Sequence, residues 1–504
     1  MSARAQYLTG FFALALTSLA QAGPARAATA QNTAAQSEAA ASAIPAGFSH
    51  IKSLGGIDEY RLDANGLDVL LAPDHSAPVV TFQVTYQVGS RNEVTGTTGA
   101  THILEHMMFK GSEAFNDAKG NSIKQMLERV GGEFNANTSF DRTNYFATIG
   151  RENLEAYVAI EADRMRHLWL HEADRQAEMT VVRNEFERGK NDPEEVLMEE
   201  VNAAAYVALP YHHPVIGWKS DIEHVPIGKL REFYDTFYWP NNATVTVVGD
   251  IDTAAVLALI KKYYGAYSHS PAPIPAIYTE EPVQTGARRV VVKRPGDLGT
   301  LIVAHKVPDG RQSDQTALEM LDAILSSGKN ARLYRALVDQ GLALNAGAGI
   351  DLHRDLSLHS MFAALTPGTT HDQVERALLA EITKIKTSGV TEAEVASVKQ
   401  QYIAEDAYKR DGTAAVASEL SEWIGVGDWT LYVTFPQRVQ QVTPADVQRV
   451  AKQYLGSDQS TTGWFVPVSP AAAPPTAAPP PAAPPPTAAP PPPAAPPSAT
   501  EKRS

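Results

Sequence analysis

Residues 102–106 read His-Ile-Leu-Glu-His, placing two of the chain's 14 histidines on either side of a carboxylate. On a helix, positions i, i+3 and i+4 share a face, so His102, Glu105 and His106 project together. This is the H-x-x-E-H arrangement, in which two imidazoles hold zinc and the intervening carboxylate stands beside the open coordination position as general base. A zinc site of this type needs a third protein ligand. The chain contains no cysteine, so His, Asp or Glu must supply it. The competing reading is an exposed polar helix face, because five-residue patterns recur by chance. A second pair four residues apart, His167 and His171, has Leu170 at the i+3 position and no carboxylate between its members. It reads as surface residues at a helix end, and the adjacent His212 and His213 read the same way.

Such a helix needs a scaffold, and at 504 residues with 44% hydrophobic content the chain has apolar material for more than one core. Two stretches read as a capped helix, an aromatic-bearing exit and a strand: Val225 to Asp250 and Val442 to Pro467. Upstream of each lies another similar helix, with Glu178, Val182 and Glu185 in step with Glu394, Val398 and Gln401. The chain is therefore expected to hold two copies of one α+β unit, 48–268 and 285–467, joined by a Pro-rich linker at 269–284. Strand-like runs such as PVVTFQVTYQV and RRVVVKRP, interleaved with helices, predict an α+β fold in which each repeat is a sheet covered by helices on one face.

The ends read differently. Residues 1–27 combine a basic start, an apolar run from about Leu8 to Leu19 and small residues at Ala25 and Ala27, the pattern of a cleaved secretory signal. The run is shorter than the ~20 residues of a membrane span, and no later segment approaches that length. The protein is thus expected to be exported, periplasmic or secreted, with no membrane span. Residues 28–47 are rich in Ala, Ser, Thr and Gln and read as a disordered leader, and residues 468–504 as a disordered Pro/Ala-rich tail acting as a spacer. The net charge is −14 and becomes −16 once Arg4 and Arg26 leave with the signal, which argues against a nucleic-acid partner.

The HILEH stretch and its surroundings resemble the pitrilysin and insulysin type of zinc peptidase, whose smaller members include the mitochondrial processing peptidase. In that family a later helix of the form E-x-x-x-V-x-x-E supplies the third ligand; here that is Glu178 to Glu185. The resemblance implies Glu185 as third ligand beside His102 and His106, Glu105 as general base, and Glu178 as a carboxylate that orients a ligating histidine. It also implies that GGEFNANTSFDRTNYFATI holds the substrate-binding edge strand, with Asn135 and Ala136 at its centre. YHHPVIGWKSDIE, YWPNNATVTVVGD and GKNARLYRALVDQGLA match further family signatures, so the likeness runs over about residues 48–467, as a short single-unit bacterial form. The second repeat has Gln401 where the first has Glu185, and Ala317 to Leu325 holds no histidine, so one Zn2+ per chain is expected.

Together with the signal-like start, the resemblance implies an exported zinc endopeptidase acting on peptides or unfolded segments. Relatives close a chamber from two such double-repeat units, so this chain is expected to form half of a peptidase chamber. In the family an Arg and a Tyr of the unit without zinc contact the substrate, whereas the matching stretch here, LHSMFAALTPGTTHDQV, has neither. A homologous partner subunit in a heterodimer is therefore favoured over a homodimer. The alternative reading is a non-catalytic or chaperone-like subunit of a heteromeric peptidase complex, which the intact H-x-x-E-H set disfavours.

Overall fold

The computed structural model describes residues 44–468. The expected signal peptide, most of the expected leader and nearly all of the expected tail lie outside the described residues. The first half runs β1 (Phe48–Leu54), β2 (Ile57–Leu62), β3 (Leu67–Pro73), β4 (Val79–Tyr86), α1 (Ala100–Met107), α2 (Ile123–Val130), β5 (Glu133–Thr138), β6 (Thr143–Gly150), α3 (Leu154–Arg166), α4 (Glu172–Lys190), α5 (Pro193–Ala205), α6 (Lys219–His224), α7 (Ile227–Phe237), β7 (Ala243–Gly249) and α8 (Thr253–Tyr264). The second runs β8 (Arg288–Pro295), β9 (Thr300–Val307), α9 (Asp314–Ser326), β10 (Ala343–Asp351), β11 (Ser357–Leu365), α10 (His371–Ser388), α11 (Glu392–Lys409), α12 (Thr413–Val426), α13 (Leu431–Gln441), α14 (Pro444–Tyr454) and β12 (Ser460–Val468).

Strand order displays the duplication. The seven-stranded sheet is ordered β1-β2-β3-β7-β4-β6-β5 and the five-stranded sheet β10-β11-β9-β12-β8. Matching β3, β4, β5, β6 and β7 to β8, β9, β10, β11 and β12 makes the shared order identical. The one parallel pair also falls in the same place, β3 with β7 and β8 with β12. The hairpin of β1 and β2 extends the first sheet alone.

Alternation along the strands sets what each face meets. In β4, Val80, Phe82, Val84 and Tyr86 enter one core with Ile103, Leu104 and Met107 of α1. Thr81, Gln83 and Thr85 point the other way, yet they too are buried. Their cover is α12, from the second half. Gln83 Nε2 donates to the Ala417 carbonyl at 2.9 Å, the Thr81 and Thr413 hydroxyls are 2.7 Å apart, and Asn144 Nδ2 donates to Ser421 Oγ at 2.8 Å. The exchange is reciprocal: Leu197, Val201 and Ala205 of α5 pack with Ile302, Ala304 and Phe465 of the second sheet. There Gly463 of β12 allows the approach, since a Cβ on it would lie 2.5 Å from Val201 Cγ2.

Each sheet therefore carries its own helices on one face and a helix of the other half on the opposite face. The expectation of helices on one face describes the first of these layers. Amphipathic period tells that a helix buries a stripe, not which sheet receives it.

Candidate metal centre

Helix α1 starts at a glycine that has to be one. Gly99 adopts φ 85°, in the left-handed region, and a Cβ there would sit 2.3 Å from the Ile216 carbonyl oxygen. Glu93, six residues upstream, caps the helix with both oxygens: Oε2 accepts from Gly99 N and Oε1 from Thr101 N, each at 2.7 Å. A carboxylate suits the positive end of a helix. Burial nonetheless pushes the Glu93 carboxyl up to about 8, against the pull of those backbone donors. His213 Nδ1 lies 4.0 Å from Glu93 Oε2 and the side chain is 3% exposed. This corrects the surface reading of His213: the turn that carries it packs beneath the capping carboxylate. Of the other histidines, His167 ends α3 with its Nδ1 3.0 Å from Asp163, and His171 caps α4 at an exposed position.

Because Ala100, Ile103, Leu104 and Met107 are buried against the sheet, His102, Glu105 and His106 are turned to the side where α4 and β5 lie. Helix α4 buries Met179, Val182 and Phe186 in the same core and offers Glu178 and Glu185, two turns apart, to α1. Glu185 Oε2 is 3.6 Å from His102 Nε2 and 3.5 Å from His106 Nε2. Ligand atoms of His102, His106 and Glu185 all lie within 4.8 Å of one another, and no second such cluster occurs among the described residues. Glu178 Oε2 meets His106 Nδ1 at 3.0 Å, and its other oxygen pairs with Lys110, one turn past His106. This leaves the Nε2 of His106 free to ligate. Glu105 Oε2 accepts from Thr138 Oγ1 of β5 at 2.5 Å.

The electrostatics divide the two imidazoles. Burial and the neighbouring His106 push His102 down to about 4, against the attraction of Glu185. Burial also works against charge on His106, but the hydrogen bonds to Glu178 and Glu185 prevail and hold it up at about 9. Glu178 is held at about 2, first by its bond to His106 and then by Lys110, and Glu185 is lowered mainly by His106. Burial raises Glu105 above the usual carboxylate range, opposed by the Thr138 hydroxyl. Two imidazoles and a carboxylate at these separations fit a zinc ion with its fourth position open. Metal and proton compete for Nε2 of each imidazole, so zinc affinity should fall as pH falls.

Asn135 and Ala136 lie on β5, which pairs with β6 and forms one edge of the sheet. Ala136 is buried with the α1 residues, whereas Asn135 is exposed and accepts from its own neighbour, Ala136 N, at 2.9 Å. Sequence reading missed Glu93, Lys110 and Thr138. Lys110 stands four residues after His106, a spacing that is readable. Thr138 and Glu93 reach the helix through turns that local periodicity does not reveal.

The sequence pattern of insulinase (peptidase family M16) matches residues 68–218, and that of the peptidase M16 inactive domain matches residues 224–402. The chain is 32% identical over 408 residues to the zinc protease PqqE of Helicobacter pylori, spanning 80% of this chain and 91% of that protein. It is 24% identical over 402 residues to the probable mitochondrial-processing peptidase subunit beta of Arabidopsis thaliana, over 78% of this chain and 75% of the other. A crystal structure of a protease from Helicobacter pylori superposes with a TM-score of 0.77 at 31% identity, over 83% of this chain and 99% of that one. The duplicated sheets, the His102, His106 and Glu185 cluster and these likenesses agree, and the chain belongs to the insulinase family, peptidase family M16.

Proposed function

We propose that the chain is an exported zinc-dependent endopeptidase that hydrolyses peptides or unfolded polypeptide segments, with one zinc per chain held by His102, His106 and Glu185. The observation that carries this reading is the convergence of those three side chains within 4.8 Å, with Glu105 alongside on the same helix. Zinc held there would supply a Lewis acid for the scissile carbonyl and would make water acidic enough to deprotonate near neutral pH. Glu105 takes the proton of the attacking water and passes it to the leaving amine. Its carboxyl is raised by burial, which suits a group that must accept and then release a proton. Glu178 fixes the His106 ring through Nδ1. The outer edge of β5, from Asn135 and Ala136 onward, takes an extended peptide by main-chain pairing, so side-chain selectivity is loose.

Export rests on the signal-like residues 1–27. A partner is part of the proposal, because one double-repeat unit leaves the zinc face open and substrate enclosure needs a second unit opposite. A homologous chain is favoured over a second copy, since LHSMFAALTPGTTHDQV lacks the expected Arg and Tyr. In support, a relative of similar length is named as a subunit. The test is peptide-library cleavage by the zinc-loaded chain, alone and with its co-purified partner, alongside metal analysis. Absence of zinc, or no cleavage in either preparation, refutes the reading; full activity of the chain alone refutes the heteromer.

A further inference from the structure

Glu105 has a flexible side chain, and a general base is effective only when one oxygen is aimed at the reacting water. Among the described residues, the side chain that donates a hydrogen bond to its carboxylate is Thr138, through Oγ1 to Oε2 at 2.5 Å. That contact leaves the other carboxylate oxygen as the proton acceptor. Thr138 is the last residue of β5, paired across to Thr143, and it faces α1. The next residue back, Asn137, faces the opposite way and is pinned there. Its Oδ1 accepts from Arg142 Nη1 at 2.5 Å and from Asn144 Nδ2 at 3.3 Å. Arg142 in turn pairs with Glu422, and Asn144 donates to Ser421, both on α12 of the second half. The strand is thus gripped from beneath by the other repeat at the point where it touches the base.

We propose that Thr138 is a positioning residue for Glu105, its hydroxyl holding one carboxylate oxygen so that the other is presented to water. The inference rests on the proposed peptidase activity and deepens it. The same strand that takes the substrate's main chain also aims the base, so the two are in register by construction. Substrate pairing uses the backbone of β5, which a side-chain change leaves in place; loss of the hydroxyl therefore acts on turnover rather than on binding.

The experiment uses whichever preparation cleaves peptides, the full zinc-loaded chain alone or with its co-purified partner, and compares it with the Thr138→Val, Thr138→Ser and Glu105→Gln variants prepared the same way. Valine keeps the β-branch and removes the donor, whereas serine keeps the donor and loses the methyl. Thr138→Val is expected to lower kcat ~10–100-fold with KM within about twofold, and Thr138→Ser to stay within about threefold of the parent. Zinc content is expected to be unchanged in all. A second arm needs no turnover: a peptidyl hydroxamate chelates zinc and donates a hydrogen bond to the general base, so calorimetry should find it bound more weakly by both Thr138→Val and Glu105→Gln. Unchanged kcat and hydroxamate affinity in Thr138→Val overturn the proposal. So does Thr138→Ser failing as badly as Thr138→Val, or a change confined to KM. If Glu105→Gln is itself as active and as tight-binding as the parent, the peptidase reading fails and this inference falls with it; if only Thr138→Val is normal, the peptidase reading stands.

Discussion

Replacing Glu178 isolates the contribution of a residue that touches neither metal nor substrate. Its carboxylate bridges His106 Nδ1, at 3.0 Å, and Lys110, with the side chain only 10% exposed. A hydrogen bond to a charged group contributes ~1.5–3 kcal/mol, which at about 1.4 kcal/mol per decade is a factor of ~10–150 in the zinc dissociation constant if the bond serves only the ligating ring. Outer partners of metal-bound histidines cost ~10–100-fold on removal, so the two routes agree. Glu178→Ala is therefore expected to bind zinc ~10–100-fold more weakly. Glu178→Gln keeps an acceptor without the charge, and since charged hydrogen bonds are roughly twice as strong as neutral ones it should lose about half of that free energy. Glu178→Ala should also lose some folded-state stability at neutral pH, because a carboxylate held at about 2 by His106 and Lys110 favours the folded chain, so zinc affinity and unfolding have to be read separately. The assay is competition against a chelator of known affinity, with metal content read by mass spectrometry and unfolding followed separately. Zinc affinity of Glu178→Ala within about twofold of the parent refutes the orienting role and leaves Glu178 as a structural ion pair.

The same geometry sets other outcomes. Glu105→Gln should keep zinc and lose ~10²–10⁴-fold in turnover, measured by steady-state peptide cleavage, because the amide cannot accept a proton. A His102→Ala, His106→Ala double variant should hold no zinc under chelator competition; full occupancy by elemental analysis means that the site is misassigned. Gly463→Ala puts a Cβ 2.5 Å from Val201 Cγ2 and 2.9 Å from Leu197 Cδ1, and should destabilise the chain by ~1–3 kcal/mol in urea unfolding. Glu394 is held at about 2 by Arg332 and by the Thr391 cap. Its folded pKa is depressed, so its stabilisation is full above the unfolded carboxylate range and is lost as pH falls toward about 2. The stability gap between parent and Glu394→Gln should accordingly close across that window, as read from unfolding midpoints in acid.

What could be read from the sequence is what is local in the chain. The spacing of His102, Glu105 and His106 declares a shared helical face, and the recurrence of a capped helix, aromatic exit and strand announces the duplication. The roles of Glu185 and Glu178 rest on the family likeness, because nothing in α4 itself says that it packs on α1. The rest depends on contacts between distant segments. His213 looks exposed in a His-His-Pro turn but is covered by the loop carrying Glu93. Thr138 looks like any strand threonine until α1 is laid beside it. The seam of the inactive-domain pattern, which starts at residue 224, also falls before β7, a strand in the middle of the first sheet.

The crossed helices make the order of synthesis matter. The Gln83 amide donates to a carbonyl 334 residues further along, and the Asn144 amide N–H to a hydroxyl 277 residues along. While the first half emerges alone, a row of threonine, glutamine and asparagine side chains on its sheet has neither helix nor fixed partner. Contacts of such sequence separation form late and slow folding. A fragment ending in the linker should therefore aggregate or stay loose, whereas cleavage of the linker after folding should leave two pieces that travel together. Because each sheet is covered by a helix of the other half, the two repeats, separate in topology, are expected to unfold in one transition, and two resolved calorimetric transitions would show instead that they are thermodynamically independent.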